Sequence, residues 1–346
     1  MKHWALDFLG CPITSSPLRL VDPRVTGDEI VAGHLVSPEG RRYEIIDGVP
    51  RFAVVENLET QSAKSVESFG FEWNTLNFDL FHANWMEHIV VRNFESPQFF
   101  RGKVVLDCGS GSGMHSRWMI EAGAARVISL ELSSTVDGIM RKNLSSYSDR
   151  NLIVQCDIAN PPVQKGKFDV LYCMNVIQHT KDPAVTTRNL YRLVGDGQEL
   201  YINYYRMPEA WWKQLRIILG ESFRRNFTAK LPKAVLLNLI RAASLATYVP
   251  LLDRIALQFL ICGEVPPGPQ FRARRYRQTV LNTYDWFGSH DFQYHYRCWE
   301  LLSLFAKAEI KYDRIPNLEQ VMRLALPGLA FRFVGDGGAG RQGNGV

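Results

Sequence analysis

The sequence predicts an α/β fold: a mostly parallel sheet with helices on both faces, a small N-terminal β-rich domain and a helical insert. Three observations predict it. Between residues 101 and 205, short apolar runs of strand length alternate with helical stretches, and strands separated by helices of that length form parallel sheets. The first 56 residues carry strand-like runs punctuated by "SPEG" and "DGVP", both turn-forming. Residues 206 to 280 hold 13 Lys/Arg against 4 Asp/Glu, a net +9 on helical apolar patterning, in a chain of net charge +5.

The elements follow in order. Residues 1–56 read as the β-rich domain and 57–100 as an aromatic, helical cap centred on "FGFEWNTLNFDLFHANW". In residues 101–205, "KVVLDCG" is a buried strand, "MHSRWMIEAG" a helix ended by Gly123, and "RVISLEL" the next strand. "VDGIMRKNLSSY" is helical, "LIVQCD" and "FDVLYCMN" are strands, "PAVTTRNLYRLV" is a helix, and "GDGQELYIN" is a glycine turn feeding a strand. Residues 206–280 form the basic insert. Residues 281–335 return to the sheet, with "CWELLSLFAKAEI" as a helix, "IKYDRI" as a strand and Leu329–Phe333 as the last strand. The glycine-rich tail, 336–346, is expected to be disordered.

Composition narrows the class. The 46% hydrophobic and 22% charged content suits a soluble globular protein of 346 residues. The six cysteines, Cys11, Cys108, Cys156, Cys173, Cys262 and Cys298, form no C-x-x-C pair, so neither a disulfide framework nor a zinc knuckle is spelled out. Free thiols suit a reducing cytoplasm. The N-terminus reads as neither signal nor transit peptide. The most apolar region, Lys233 to Gly263, is interrupted by Arg241, Pro250, Asp253 and Arg254, short of the roughly 18 uncharged residues of a spanning helix.

The chemistry centres on "LDCGSGSGMHS". Gly109, Gly111 and Gly113 follow a buried strand, as in a dinucleotide cradle, but the loop is G-x-G-x-G and Met114 stands where the third dinucleotide glycine falls. Asp107 precedes the first glycine. A carboxylate there is the wrong sign for phosphate and the right sign for a cationic ligand such as S-adenosylmethionine (SAM), which carries an ammonium, a sulfonium and no phosphate. Ser110 lies inside the loop. Glu131, 24 positions after Asp107, ends the second strand, where an acid accepts hydrogen bonds from ribose hydroxyls; capping the next helix is its other reading. Asp157 ends the third strand, either facing an adenine amino group with Ile158 on the ring or acting as a turn residue. Asn175 ends the fourth. An open α/β sheet binds its ligands along this edge.

These residues, in "VVLDCGSGSGMHS…VISLELS…VQCDI…FDVLYCMNVIQHTKDP…LYRLVGDGQELYIN", resemble the class I SAM-dependent methyltransferases, in particular the type 11 group. The resemblance implies a Rossmann-like, seven-stranded sheet whose last strand runs antiparallel. It implies that Asp107, Gly109 and Gly111 line the methionine part, that Glu131 holds the ribose and Asp157 the adenine, and that Asn175 lies near the reacting end. "LDFLGCPITSSPLRL" and "YEIIDGVPRF" are similar to small zinc-ribbon methyltransferase activators. With Cys11 as the one remaining thiol of that pattern, a four-ligand site cannot form, and a metal-free, degenerate ribbon is expected.

His179 is the candidate general base, since histidine titrates near neutrality; a hydrogen-bonded loop role is its alternative. Candidate acceptor contacts are Trp73 in the aromatic segment, Tyr204 after the fifth strand, and His295. Tyr284 and Asp285 join them because "NTYDW" resembles an acceptor-contacting segment of related methyltransferases. The basic insert reads as a solvated lid, a peripheral membrane contact or an RNA contact. The function expected is methylation of a small-molecule acceptor, lipid-like or glycosidic, in the cytoplasm or peripherally at a membrane. The alternatives are an RNA methyltransferase and a non-catalytic SAM-binding scaffold.

Overall fold

Four consecutive apolar runs form the centre of the sheet. They are β5 (Val104–Cys108), β6 (Arg126–Glu131), β7 (Asn151–Gln155) and β8 (Val170–Cys173), with nearly every residue buried. Such continuous burial marks strands covered on both faces. They pair in parallel in the order β7-β6-β5-β8, followed by β9 (Glu199–Arg206). The last strand, β11 (Gly328–Val334), runs antiparallel to β9 along its whole length. This computed structural model describes residues 1–53, 60–94, 96–249, 252, 259–261, 265, 268–324 and 328–335. The 336–346 tail, Cys262, Pro250, Asp253 and Arg254 lie outside the described residues.

The expected fold class stands, but the sheet is larger than seven strands. The N-terminal strands β1 (Arg19–Thr26), β2 (Glu29–Val36), β3 (Arg42–Ile46) and β4 (Val49–Arg51) form an antiparallel meander. It continues the central sheet through Arg51 beside Gln155, giving eleven strands among the described residues. The buried Arg51 guanidinium fixes that seam: Nη1 donates to Gln155 Oε1 at 2.7 Å and Nη2 to Asp137 Oδ1 at 2.5 Å. Ala5, Phe8 and Leu9 share one apolar core with Leu106, Ile128 and Phe168. The expected strand "IKYDRI" is reduced to a single bridge, Arg314 to Arg332. Lys311, Tyr312 and Asp313 are exposed and Pro316 follows, so the run has neither an apolar face nor room to continue. A two-residue strand, β10 (His295–Tyr296), pairs instead with Tyr205 and Arg206 at the end of β9.

The chain divides into two compact units. The first comprises residues 1–58, 81–207 and 292–346 and contains the whole sheet; the second comprises 59–80 and 208–291. The aromatic segment from 57 to 100 is therefore shared between them. Trp85, Phe94 and Phe100 pack with Tyr172 and Tyr201 in the first unit, whereas Phe71 packs against Tyr284 in the second. The second unit includes the helices Thr60–Thr75, Trp211–Asn226, Lys233–Ser244 and Arg272–Phe287. Leu236, Leu237, Ile240, Val280 and Tyr284 form its core.

Candidate active site

The carboxyl ends of β5, β6, β7 and β8 are neighbours, and they bring together all the residues assigned to the cofactor. The glycine loop leaves β5 with left-handed φ values at Gly109 (82°), Gly111 (55°) and Gly113 (76°). At Gly109 a Cβ would also stand 2.5 Å from Val176 Cγ1, so only glycine fits. Gly113 has a packing reason of its own: a Cβ there would meet Leu144 Cδ1 at 2.9 Å, where the loop enters the helix Met114–Glu121.

The loop turns its amides inward. Gly109 and Ser110 both donate to Leu130 O at 2.9 Å, Gly113 donates to Ser110 O at 2.8 Å, and Gly111 donates to Glu131 Oε2 at 2.8 Å. A pyrophosphate cradle needs such amides aimed at the ligand. Here they are taken by protein acceptors, one of them a carboxylate, so the site fits a nucleoside without phosphate. Glu131 Oε1 accepts from Ser133 N–H at 2.8 Å. Each carboxylate oxygen thus holds one amide and keeps a further lone pair.

Asp107 is not at the mouth of the loop in the way its position suggests. Its side chain is buried, and Oδ2 accepts from Ser116 Oγ at 2.5 Å. Ser129 Oγ donates to Ser116 Oγ at 2.8 Å, and Asn151 Nδ2 donates to Ser129 Oγ at 2.7 Å. This chain of donors runs from β7 through β6 to the Asp107 carboxylate. Burial nevertheless pushes the carboxyl up to about 6, because desolvation of the charged form outweighs the serine hydrogen bonds. Sequence reasoning missed Ser116, Ser129 and Asn151. Their signal is a polar residue inside "RVISLEL" and at the head of "NLIVQ".

Asp157 sits in the turn that follows β7, with Oδ1 accepting from Ala159 N–H at 2.8 Å; Ile158 beside it is buried. Asn175 is exposed at the tip of β8 in the left-handed region, φ 63°. Asn203, a partner that sequence reasoning did not find, holds it there: Asn175 N–H donates to Asn203 Oδ1 at 2.5 Å and Asn203 Nδ2 to Asn175 Oδ1 at 2.8 Å. His179 closes the turn Ile177–His179, with Nδ1 3.0 Å from Phe292 O. A carbonyl only accepts, so Nδ1 carries the proton and the neutral ring's lone pair is on Nε2. Residues 292–296 strap this turn: Tyr294 N–H donates to Gln178 O at 3.0 Å and Tyr294 Oη to Lys181 O at 3.2 Å. Gln178 is fully buried, and neither of its amide atoms has a hydrogen-bond partner among the described residues.

The acceptor residues divide. His295 is half-buried beside Tyr205, 5.5 Å between ring centroids. Tyr204, expected at an acceptor cavity, is a core residue instead. It is fully buried against Phe305 and Phe331, with its hydroxyl 2.7 Å from Thr187 Oγ1, because its strand position faces the apolar side of the sheet. Trp73, Tyr284 and Asp285 belong to the second unit. Trp73 lies against Phe78, 4.3 Å between centroids. Tyr284 is fully buried in that unit's core, and its hydroxyl has no hydrogen-bond partner among the described residues. Burial pushes the Asp285 carboxyl up to about 6, and Glu72 is raised well above the carboxylate range, by burial first and then by the charge of Asp285.

Comparison with known proteins bears on this site. A methyltransferase domain family matches residues 106–202, the span from β5 into β9. A ubiquinone biosynthesis O-methyltransferase of Sodalis glossinidius is 30% identical over 180 residues, covering 49% of this chain and 67% of that protein. A protein of the same name from Coxiella burnetii is 23% identical over 149 residues, covering 43% of this chain; the chain spans only 63% of that relative's length. Among solved structures, an S-adenosylmethionine-dependent methyltransferase of Mesorhizobium loti superposes with a TM-score of 0.38 at 16% identity, over 67% of this chain and 91% of that one. On the family match and the Sodalis relative, the chain belongs to the class I S-adenosylmethionine-dependent methyltransferases.

Proposed function

We propose that this protein transfers a methyl group from SAM to a hydroxyl of a small-molecule acceptor, lipid-like or glycosidic in character. The inward-turned glycine loop carries this reading, because it leaves acids and no anion hole at the strand tips. Glu131 accepts from the ribose hydroxyls with the lone pairs its two amides leave over. Asp157 accepts from the adenine amino group, and Ile158 packs on the ring. Asp107 and Gly111 form the wall beside the methionine cation, and Asn175, locked by Asn203, presents its backbone near the reacting end. When bound, SAM supplies an electrophilic methyl on sulfonium. The chain's part is to position the acceptor and to take up its proton.

His179 Nε2 is the base, and Phe292 O fixes the tautomer that makes it one. The hydroxyl acceptor is supported by the name O-methyltransferase borne by the relatives and by the presence of that base. The N-terminal region, residues 1–56, is a degenerate zinc ribbon whose thiol, Cys11 Sγ, sits 3.3 Å from Tyr43 Oη. The free, buried Cys11, Cys108, Cys156 and Cys173 suit the cytoplasm. Labelled-methyl transfer to a panel of phenols, sugars and amines tests the proposal. The expected result is transfer to hydroxyls, with His179→Ala lowering kcat by about 10²–10⁴ and leaving SAM affinity unchanged. Full activity in the variant, or methylation of amines only, would remove His179 as base or the hydroxyl as acceptor.

A further inference from the structure

We propose that the second unit docks on an anionic lipid surface through the helix Trp211–Asn226, which lies in the headgroup region without crossing it. Among the described residues no helix is long and apolar enough to span a membrane. This helix instead leaves a broad apolar face uncovered. Trp211 is 72% exposed, Trp212 54%, Leu215 45%, Ile218 57%, Leu219 60% and Phe223 51%. At about 100° per residue these six fall within one arc of about 140°. Exposed Arg216 stands at one edge of the arc and exposed Arg225 at the other. The opposite side of the helix carries Arg224, buried, paired with Glu221 at 2.7 Å and donating to His290 O. The helix is therefore held to its own unit by its polar side and shows its apolar side to the outside, the reverse of a core-facing amphipathic helix.

A patch of this kind is a contact surface rather than ordinary exposed carbon. Its charge selects the occupant. Residues 211 to 249 contain seven Lys/Arg and one acid, Glu221, which the buried Arg224 engages at 2.7 Å and the exposed Arg225 at 3.6 Å, so the segment stays strongly positive. Cations flanking an apolar arc, with aromatic residues at one end, match an interfacial helix on anionic headgroups: the apolar side chains enter the acyl boundary and the arginines reach the phosphates. A second copy of the chain would oppose two faces of the same positive sign. On the next helix, Lys233–Ser244, the side chains of Val235 and Leu239 are exposed as well, within the same basic segment.

Vesicle flotation of the full chain tests the proposal, comparing phosphatidylcholine alone with phosphatidylcholine and phosphatidylglycerol in equal parts. The expected result is binding at least tenfold tighter to the anionic vesicles. Two variants should each lose at least tenfold: Ile218→Ser with Phe223→Ser, and Arg216→Gln with Arg225→Gln. All four side chains are exposed, and circular dichroism with thermal unfolding checks that both variants stay folded. No binding by the wild type, or binding that both variants retain, overturns the proposal. So does a dimer that the Ile218→Ser, Phe223→Ser variant converts to monomer while vesicle binding is unchanged, which would give the face to a second copy.

Discussion

At the strand tips of the first unit, polar groups answer one another, with the buried Gln178 amide as the exception: Glu131 holds two loop amides, Asn203 holds Asn175, and three donors in series reach Asp107. In the second unit, burial raises both Asp285 and Glu72, with the charge of Asp285 adding to the rise at Glu72, the buried Tyr284 hydroxyl has no partner among the described residues, and one helix shows its apolar face to the outside. Polar satisfaction fixes geometry before a ligand arrives, whereas buried unpaired groups and bare apolar surface reduce stability and mark places shaped for contact. The first unit is thus a rigid holder for a cofactor, and the second carries the surfaces by which this chain differs from other holders of the same kind.

Substitution at the rigid site should break the contrast most sharply. Gly109→Ala must place a Cβ against Val176 at a left-handed φ. The expected cost is about 2–4 kcal/mol of stability, read from urea denaturation, together with lost SAM binding. A change within about 0.5 kcal/mol, the range of an ordinary surface substitution, would contradict the packing described.

A smaller effect sharpens the role of Asp107. Its carboxyl titrates at about 6 in the free protein, raised by burial, and a cationic ligand favours the ionised form. SAM affinity should therefore rise with pH between 5 and 7, approaching tenfold per unit below the midpoint. Burial pushes His115 down to about 4, which keeps that ring neutral across the window. Asp107→Asn should flatten the profile; a flat wild-type profile would place the cation elsewhere.

The smallest effect belongs to the second unit. The Asp285 carboxyl, raised to about 6 by burial, stabilises the fold in its neutral form. That contribution is complete below the unfolded-state pKa and is lost as pH rises through 6. Thermal midpoints measured from pH 4 to 7 should fall less steeply in Asp285→Asn than in the wild type. Equal slopes would mean that the carboxyl is solvated and not a buried, proton-holding group.

The local features were legible in the sequence. The alternation of strands and helices, the glycine loop and the acids at the tips of β6 and β7 each depend on neighbours within a few residues. What escaped was non-local. That the N-terminal meander joins the central sheet rests on Arg51 meeting Gln155 across 104 positions. Asn175 depends on Asn203 from another strand, and the His179 tautomer on a carbonyl 113 positions away. The inward path of Asp107 depends on Ser116, whose place on the first helix turn gives no sign of which way its hydroxyl points. Tyr204 misled because tyrosine is equally at home in a core and at a cavity; only the face of β9 on which it sits decides.

Titration calorimetry with SAM and with NAD, on the wild type and on Glu131→Ala, tests most directly whether the strand tips hold a phosphate-free nucleoside. The expected result is SAM binding without NAD binding, weakened at least tenfold, about 1.4 kcal/mol, by removing the carboxylate. NAD binding without SAM binding, or equal SAM affinity in both proteins, would contradict it.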